Sequence, residues 1–568
     1  MQQTETPETR GGGHHIAGSR KPININPREA GIAALVAMGA LFLFLVYAGA
    51  HVRELTDPDA MDYAQIARHV SRGEGFTTSW VRPLSLGRVQ NISHHPELLR
   101  APLHPMVMSI VFRVFGADHR AAAWAGGIAY LVSLPLVYLL ALRLFNRRTA
   151  LLALGLYGVN HFVLHYAVSG LEISLSTCFI TGLLLVAHLY LKADEPSPTL
   201  AAGCGALLGL AVLTNYIYAA LLLPVALLLL LRGGRKRWGA ALISVAACLV
   251  VMLPWAVRNA RVAGSPVATI STADFVTNTR SHRDLSVYRK YLEKPPSAIA
   301  HVLKHPKEVW RKARPIALSL YADSDLNVGG PLVLAFFVAA ILLKFKTAGL
   351  RELRLMHYAW LALMAIVMCL LAAHARVVVP LSPLAIIIAS ACFLTAADRL
   401  VDSVQGPKRK RRALAWSIGG LLAISWFPVF ANTVTMESRK TGPAEEFRKV
   451  TGALRERKVG TIYTDQPWIL AWYGDMDAVW LPEDEDEMRV LEAAVGPLQG
   501  VLLSPFISRT GPGQGLSDWA DLYVSALRGA AQGPFAPVAS LGETGDWLLF
   551  RRVPESAALA ELPSASGG

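Results

Sequence analysis

The feature that most constrains this chain is its set of long apolar runs. They lie at roughly 29–50, 121–142, 150–168, 171–191, 198–214, 216–231, 238–256, 330–343, 355–373, 377–397 and 413–431. About 20 residues of helix cross the hydrocarbon core of a bilayer, and backbone polar groups there must be satisfied within the segment. The runs therefore predict a polytopic α-helical membrane protein with about eleven transmembrane helices. The third and fourth runs are the least regular, because His161, His165, Ser169 and Glu172 interrupt them. Cys178, Cys204, Cys248, Cys369 and Cys392 all fall inside apolar runs, which suits small core residues and not a disulfide or metal framework.

The formal net charge is +14, which in a soluble chain would suggest nucleic acid. Here much of the excess sits in short loops between runs: Arg143/Arg147/Arg148, Arg232/Arg235/Lys236/Arg237, Lys344/Lys346/Arg351/Arg354 and Lys408 to Arg412. Alternation puts these clusters on one side with Arg20, Lys21 and Arg28, and basic short loops face the cytoplasm. No nucleic-acid partner is expected. Residues 1–28, which include His14 and His15, read as a disordered cytoplasmic tail without the apolar stretch of a signal peptide. The outer side then receives loops 51–120 and 257–329, the turns near 169–172, 214–216 and 374–376, and everything after 432. The catalytic region would be 29–432, with 433–568 an extracytoplasmic domain.

The polar residues that interrupt the apolar pattern collect on that outer side. Asp57 followed by Pro58 signals a helix start, Tyr63, Ile66, Ala67 and Val70 continue it, and Gly73 stops it. A short amphipathic helix from about Pro58 to Arg72 would carry Asp59 and Asp62 on one face. Asp57 is read as the cap. A second surface helix opens after Arg100-Ala-Pro-Leu-His-Pro105 and ends at Gly116. Glu172 stands at the outer end of the fourth run, Asn215 between the fifth and sixth, Arg258 and Asn259 at the end of the seventh, and His374 and Arg376 between the ninth and tenth. Ionisable residues near membrane depth are costly and mark sites, and an Arg presents a planar fork that suits phosphate. Several such groups from separate helices on one face point to a shared site. His94, His95 and Glu97 lack a further metal ligand in view and read as a polar loop, and Asn91-Ile-Ser93 is a sequon short enough to arise by chance. Residues from Pro296 to Leu318 read as a surface-lying helical segment followed by a lid.

After 432 the composition turns ordinary. Helices at 443–456, 483–494 and 516–529, with one more before Val479-Trp-Leu-Pro482, alternate with strands at 459–464, near 479, at 499–504, near 535–540 and near 546–552. That alternation predicts a small C-terminal α/β domain. It has no glycine-rich phosphate loop, so nothing supports nucleotide binding.

These motifs, taken in order, resemble the GT-C glycosyltransferases. They are Asp59 with Tyr63, Ile66-Ala-Arg68, Gly73-x-Gly-Phe76, Ala101-Pro-Leu-His-Pro105 and Ser169-Gly-Leu-Glu172. Then follow Leu253-Pro-Trp-x-x-Arg-Asn259, Gly264-Ser-Pro266, Arg376 with Pro380-Leu-x-Pro-Leu384, and Ala471-Trp-Tyr-Gly474 in the C-terminal domain. The pattern is most similar to the bacterial protein-mannosyltransferase-like branch, including aminoarabinose and lipopolysaccharide-core galacturonic-acid transferases. The resemblance implies a polyprenyl-phosphate-linked sugar as donor, a lipid, glycan or protein acceptor, inverting chemistry and a bacterial inner membrane. It matches Asp59 to the essential first-loop acid. Asp62 and Asn215 depart from it, standing where relatives carry basic residues, and Ala101 replaces a Pro.

The expected site is then Asp59 as the base for the acceptor hydroxyl and Glu172 to orient the acceptor or a metal. Tyr63, Arg100, Arg258, Asn259, His374 and Arg376 would hold phosphate or sugar. The residues demand no cofactor, and a divalent metal is left open. A transporter or flippase of a lipid-linked sugar would use similar charges without making a bond. No internal repeat supports that alternative, and the charges gather at one face, not at the midplane. An inactive relative that recruits a partner through 433–568 is a third alternative.

Overall fold

The computed structural model describes residues 27–52, 54–231, 237–267, 269–294, 296–322, 328–345, 347, 349–371, 373–436, 443–509, 516–529 and 534–552. The tail with His14 and His15, the cluster Arg232, Arg235 and Lys236, Lys346, the stretch after Ala322 expected as a lid, and the last residues of the chain lie outside these.

All eleven apolar runs form helix, but not eleven helices of spanning length. Among the described residues, seven helices are long and apolar enough to cross a membrane: Gly31–His51, His119–Leu144, Ile173–Lys192, Arg237–Ala263, Leu350–Leu371, Ala375–Asp402 and Pro407–Val434. The interrupted third run is a broken pair, Arg147–Gly158 and His161–Val168, bent by 54°. Asn160 causes the break: its Oδ1 accepts the N–H groups of Phe162 and Val163 and so caps a new helix. The other three runs are shorter helices, Pro198–Thr214, Tyr216–Leu231 and Pro331–Leu342. Asn215 divides the first two of these, capping the turn that follows through Ile217 N–H.

Small residues let these helices approach closely. A Cβ on Gly205 would meet the Ser244 carbonyl oxygen at 1.9 Å, so Pro198–Thr214 and Arg237–Ala263 touch backbone to backbone there. Gly205→Ala is expected to cost about 1–3 kcal/mol by overpacking. A thermal melt in detergent would show it, and an unchanged midpoint would contradict the close approach.

The predicted helix Pro58–Arg72 forms at the predicted bounds. Asp57 caps it, and Gly73 ends it in the left-handed region at φ 82°. It does not lie open on a surface. Ala60 through His69 are all buried, between the helix Leu103–Phe115 and the C-terminal helix Pro467–Tyr473. Leu103–Phe115, by contrast, leaves Met106, Ile110, Val114 and Phe115 exposed, as an interface-lying helix does. The single segment expected from Pro296 to Leu318 is two helices, Ala298–Lys304 and Pro306–Ala322. Pro306 cannot donate to the ladder of the first, so the chain restarts there.

The C-terminal elements follow the predicted order. One sheet contains β4 (Ile462–Thr464), β5 (Ala478–Trp480), β6 (Val501–Leu503), β7 (Phe535–Leu541) and β8 (Trp547–Arg552). It is not built by 433–568 alone. In the first outer loop, β1 (Thr77–Thr78) pairs with β3 (His95–Pro96), while β2 (Trp80–Val81) joins the edge of the large sheet, giving the order β2-β5-β4-β6-β8-β7. Strands β2, β5, β4 and β6 are parallel, and β8 and β7 complete the sheet antiparallel. Trp80 stands opposite Ala478 and Val81 opposite Val479. Arg68 strengthens the joint by donating to the Trp472 carbonyl at 2.8 Å and pairing with Asp475 at 2.9 Å. The outer loop is thus bound both to the helix bundle and to the sheet.

Candidate functional site

The site grows from the first turn of the Pro58 helix. Asp57 spends Oδ1 on the N–H groups of Asp59, at 2.8 Å, and Ala60, at 3.1 Å. Its Oδ2 faces Arg376 at 3.5 Å. Asp59 gives one carboxylate oxygen to Arg100 and the other to Arg376. Arg100 also donates through Nε to Asp62 at 2.7 Å. Asp62, fully buried, receives Arg82 at 2.6 Å on the same oxygen, and Gln65 at 3.1 Å on the other. Arg82 reaches Glu97 at 3.5 Å, and Glu97 in turn accepts the N–H groups of Leu99 and Arg100. The result is a row of alternating charge: Asp57, Arg376, Asp59, Arg100, Asp62, Arg82, Glu97. Each inner member lies between two of opposite sign, which offsets the cost of removing charges from water.

This pairing changes what Asp59 can do. Burial would push its carboxyl up, but the Arg100 and Arg376 guanidinia overcome that and hold it well below the usual carboxylate range. So held, it is ionised at any working pH and is a weak base.

Tyr63 lies under Arg100, 5.0 Å from the guanidinium carbon, and meets His104 edge-on at 5.1 Å. His104 bonds the Gly170 carbonyl oxygen at 2.9 Å, tying the outer loop to the turn before Glu172. Glu172 is buried at the start of the helix Ile173–Lys192, and its Oε1 accepts from Asn215 at 2.8 Å. Its Oε2 has no hydrogen-bond partner among the described residues. It acts electrostatically on Tyr63 without touching the row. Asn215, a departure from the resembled pattern, is therefore the residue that holds Glu172.

Arg258 and Asn259 come to the same end of the bundle but not into the row. Arg258 donates to the Glu97 carbonyl at 2.8 Å, the Phe76 carbonyl at 3.0 Å and Asn259 Oδ1 at 3.1 Å, and it stacks on Trp255. Its role here is to clamp the outer loop. His374 is exposed and borders a cavity of about 530 Å³ with Arg376, Tyr166, Ser319 and Pro315. Arg376 thus has one side on Asp59 and another on open space.

Sequence reading missed Arg82 and the ion-pairing roles of Asp57, Asp62 and Glu97. One signal was available: a buried Asp62 needs a cation, and Arg82 is a nearby one in the same loop. His95 bonds the Asn91 carbonyl oxygen at 2.7 Å, as a structural loop histidine does. Among the described residues, no group of three His, Cys, Asp or Glu stands close enough to hold a metal ion.

Residues 94–257 match the family model described as dolichyl-phosphate-mannose-protein mannosyltransferase. No curated protein sequence matches the chain. Solved structures match its fold. ArnT from Cupriavidus metallidurans, bound to undecaprenyl phosphate, is 14% identical with a TM-score of 0.54, over 92% of this chain and 98% of that one. The Archaeoglobus fulgidus oligosaccharyltransferase in its apo form is 14% identical with a TM-score of 0.56, over 87% of this chain and 71% of that one. AglB from the same archaeon, with an inhibitory peptide and a dolichol-phosphate, is 13% identical with a TM-score of 0.53, over 95% and 75%. The fold is thus similar to that of these solved structures, the stretch 94–257 is similar to that family model, and the helices of spanning length suit an integral membrane protein.

Proposed function

We propose that the protein moves a sugar from a polyprenyl-phosphate carrier to a hydroxyl of a cell-envelope acceptor. The reaction takes place at the outer face of a bacterial inner membrane, with the N-terminus cytoplasmic and the sheet-bearing region outside. The observation that carries the reading is Arg376, paired to Asp59 on one side and lining the 530 Å³ cavity on the other. A lipid phosphate entering that cavity meets a guanidinium already held by the acid that Arg100 shares. The bond to break joins the anomeric carbon to a phosphate oxygen. Charge therefore grows on the phosphate, where two guanidinia can meet it. That two solved structures of this fold hold a lipid phosphate supports a donor of this class. Glu172 orients the acceptor, and Tyr63 packs against Arg100. A single displacement by the acceptor oxygen inverts the anomeric centre.

The acceptor hydroxyl must lose a proton as it attacks. Asp59 in its present pairing takes one poorly, and becomes a better base only as the phosphate draws a guanidinium away.

The test is purified protein in detergent with a polyprenyl-phosphate-linked sugar, following release of the polyprenyl phosphate. Release coupled to sugar transfer, with no membrane gradient, is the expected result. Intact donor across a panel of sugars, together with movement of labelled lipid across vesicles, would favour transport instead. Arg376→Ala is expected to raise the donor KM by about 10–100-fold, the loss of one to two charge-assisted hydrogen bonds. Arg376→Lys should recover only part of that, because an ammonium lacks the fork. Full recovery by Lys would show that charge alone matters.

A further inference from the structure

A cavity of about 350 Å³ opens where three elements meet: the Pro58–Arg72 helix, the start of the span His119–Leu144 and the C-terminal helix Pro443–Glu456. None of its lining residues belongs to the charged row or to the Arg376 cavity. Its size falls within the range of ligand pockets, about 300–1,000 Å³. Arg68 lines it from the loop helix, and Arg448 and Arg455 line it from one face of the C-terminal helix. Arg68 stands nine residues after Asp59, which is about 13.5 Å along the helix and on its opposite face. The three guanidinia are only partly neutralised. Arg68 is buried and shares Asp475 with Arg72, while its Nε has no hydrogen-bond partner among the described residues. Arg455 donates through Nε to the Gly474 carbonyl at 2.8 Å, and its terminal nitrogens make no hydrogen bond or ion pair among the described residues. Arg448 pairs with Glu54 and lies over the Tyr473 ring. Asp118 is the one acidic residue lining the cavity among the described residues, and its Oδ1 is committed to the Ala121 N–H at 2.7 Å.

The apolar surroundings say what kind of anion fits. Ala117 lines the cavity two residues after Phe115, and Val114 and Phe115 are both exposed. On the span below His119, the exposed side chains Trp124, Ile128 and Val132 recur every four residues and so form one stripe down the helix. On a membrane-crossing helix such a stripe faces lipid chains, and a Trp near its end suits the headgroup level. A cationic cavity at the head of a lipid-facing stripe is the arrangement that holds an acidic headgroup.

We infer that this cavity binds the phosphate of an anionic phospholipid, with Arg448 and Arg455 donating to it and the lipid chains lying on the Trp124–Val132 stripe. A phosphate there touches all three elements at once. It ties the sheet-bearing region to the bundle behind the helix that carries Asp59, so the surrounding lipid sets how firmly that region is docked. The electrostatics agree with the geometry. Burial pushes the Arg68 guanidinium down to about 10, Asp475 pulls the other way, and the nearby Arg72 and Arg455 add to the fall. An anion in the cavity relieves that crowding of like charge. The site is independent of the transferase reading, since binding and not turnover reports it.

The experiment titrates the full-length protein in neutral detergent with dihexanoylphosphatidylglycerol, with dihexanoylphosphatidylcholine and inorganic phosphate as comparisons. Bound lipid is counted by native mass spectrometry and the melting midpoint is followed alongside. Phosphatidylglycerol is expected to bind about 10-fold more tightly than phosphatidylcholine, whose choline cation meets the arginines, and to raise the midpoint. Arg448→Gln with Arg455→Gln should weaken that binding by about 10–100-fold, the loss of one to two charge-assisted hydrogen bonds. Both side chains are exposed, so the contacts of the buried Arg68 stay in place. Should the double variant not fold, Arg455→Gln alone decides. Glu54→Gln releases Arg448 from its ion pair and should leave binding as tight or tighter, which a merely structural role for Arg448 would not do. Arg376→Ala should leave it unchanged, which sets this site apart from the donor cavity. Equal affinity for the two lipids, binding unmoved by the arginine substitutions, or binding lost in Glu54→Gln or Arg376→Ala overturns the inference. Inorganic phosphate bound as tightly as phosphatidylglycerol, with the same dependence on Arg448 and Arg455, keeps the phosphate site and removes the lipid as its occupant.

Discussion

Asp59→Asn is expected to lower kcat by about 10²–10³-fold, the scale on which removing one preorganised electrostatic contact acts. The amide is neutral and has one acceptor oxygen, so it cannot hold Arg100 and Arg376 together. Both guanidinia stay inside a partly buried site, where they repel each other and turn toward Asp57 and Asp62. The chemistry and the binding should then separate. Free guanidinia grip phosphate more tightly, so product-like polyprenyl phosphate is expected to bind the variant at least as well as wild type. Turnover falls because the cations are no longer aimed at the oxygen on which charge develops. Folding should survive, because Asp59 retains some exposure and the buried Asp62 keeps its own partners. The pH dependence has a definite sign. Asp59 has a depressed pKa in the fold, so its contribution to stability is present above the unfolded carboxylate range and is lost only as pH falls toward the folded value. Wild type and variant should therefore differ by a constant stability increment across neutral pH. Turnover in a folded Asp59→Asn protein equal to wild type would remove the row from the reaction.

What could be read from the sequence follows from how locally each feature is encoded. The Pro58 helix was legible to the residue because Asp57-Pro58 and Gly73 are start and stop signals that act within a few residues. The C-terminal strands were legible for the same reason, through short β-branched and aromatic runs between turns. The gathering of Asp59, Glu172, Arg100 and Arg376 at one end of the bundle followed from alternation of spans, a rule with no need of distances. Three things were not legible. That Asp59 is shared by two arginines depends on side-chain reach across 317 residues of sequence. That Arg258 serves backbone carbonyls, while Arg376 serves a carboxylate, depends on which way each fork turns. That Trp80 and Val81 extend a sheet whose other strands begin at Ile462 is a long-range pairing that no local pattern announces. The departures at Asp62 and Asn215 make the same point. Each stands where the resembled pattern has a basic residue, yet Asp62 is neutralised by Arg82 and Arg100, and Asn215 fixes Glu172.

Arg82→Ala is expected to be among the most destabilising single changes in the outer loop. Arg82 is 2% exposed and Asp62 is fully buried. Removing one partner of a buried ion pair costs about 3–5 kcal/mol, because the charge left behind has lost its neutralising contact without regaining water. The lower end applies here, since Asp62 keeps Arg100 and Gln65. Two further losses add to it. Arg82 lies over the Trp80 ring, 4.0 Å from its centre, and Trp80 belongs to the strand that joins the sheet. The row, with four carboxylates and three guanidinia, would also become more negative, pulling Arg100 toward Asp62 and away from Asp59. The effect should thus appear twice, as a lower melting temperature in detergent and as a weaker donor interaction in whatever protein remains folded. Arg82→Met with Asp62→Asn separates charge from packing, since replacing both members of a buried pair by neutral groups is far milder than removing one. The double variant is expected to melt above Arg82→Ala alone. If it melts lower, the stack on Trp80 and the bond to Gln65 outweigh the charge, and the row holds the loop by shape more than by ion pairing.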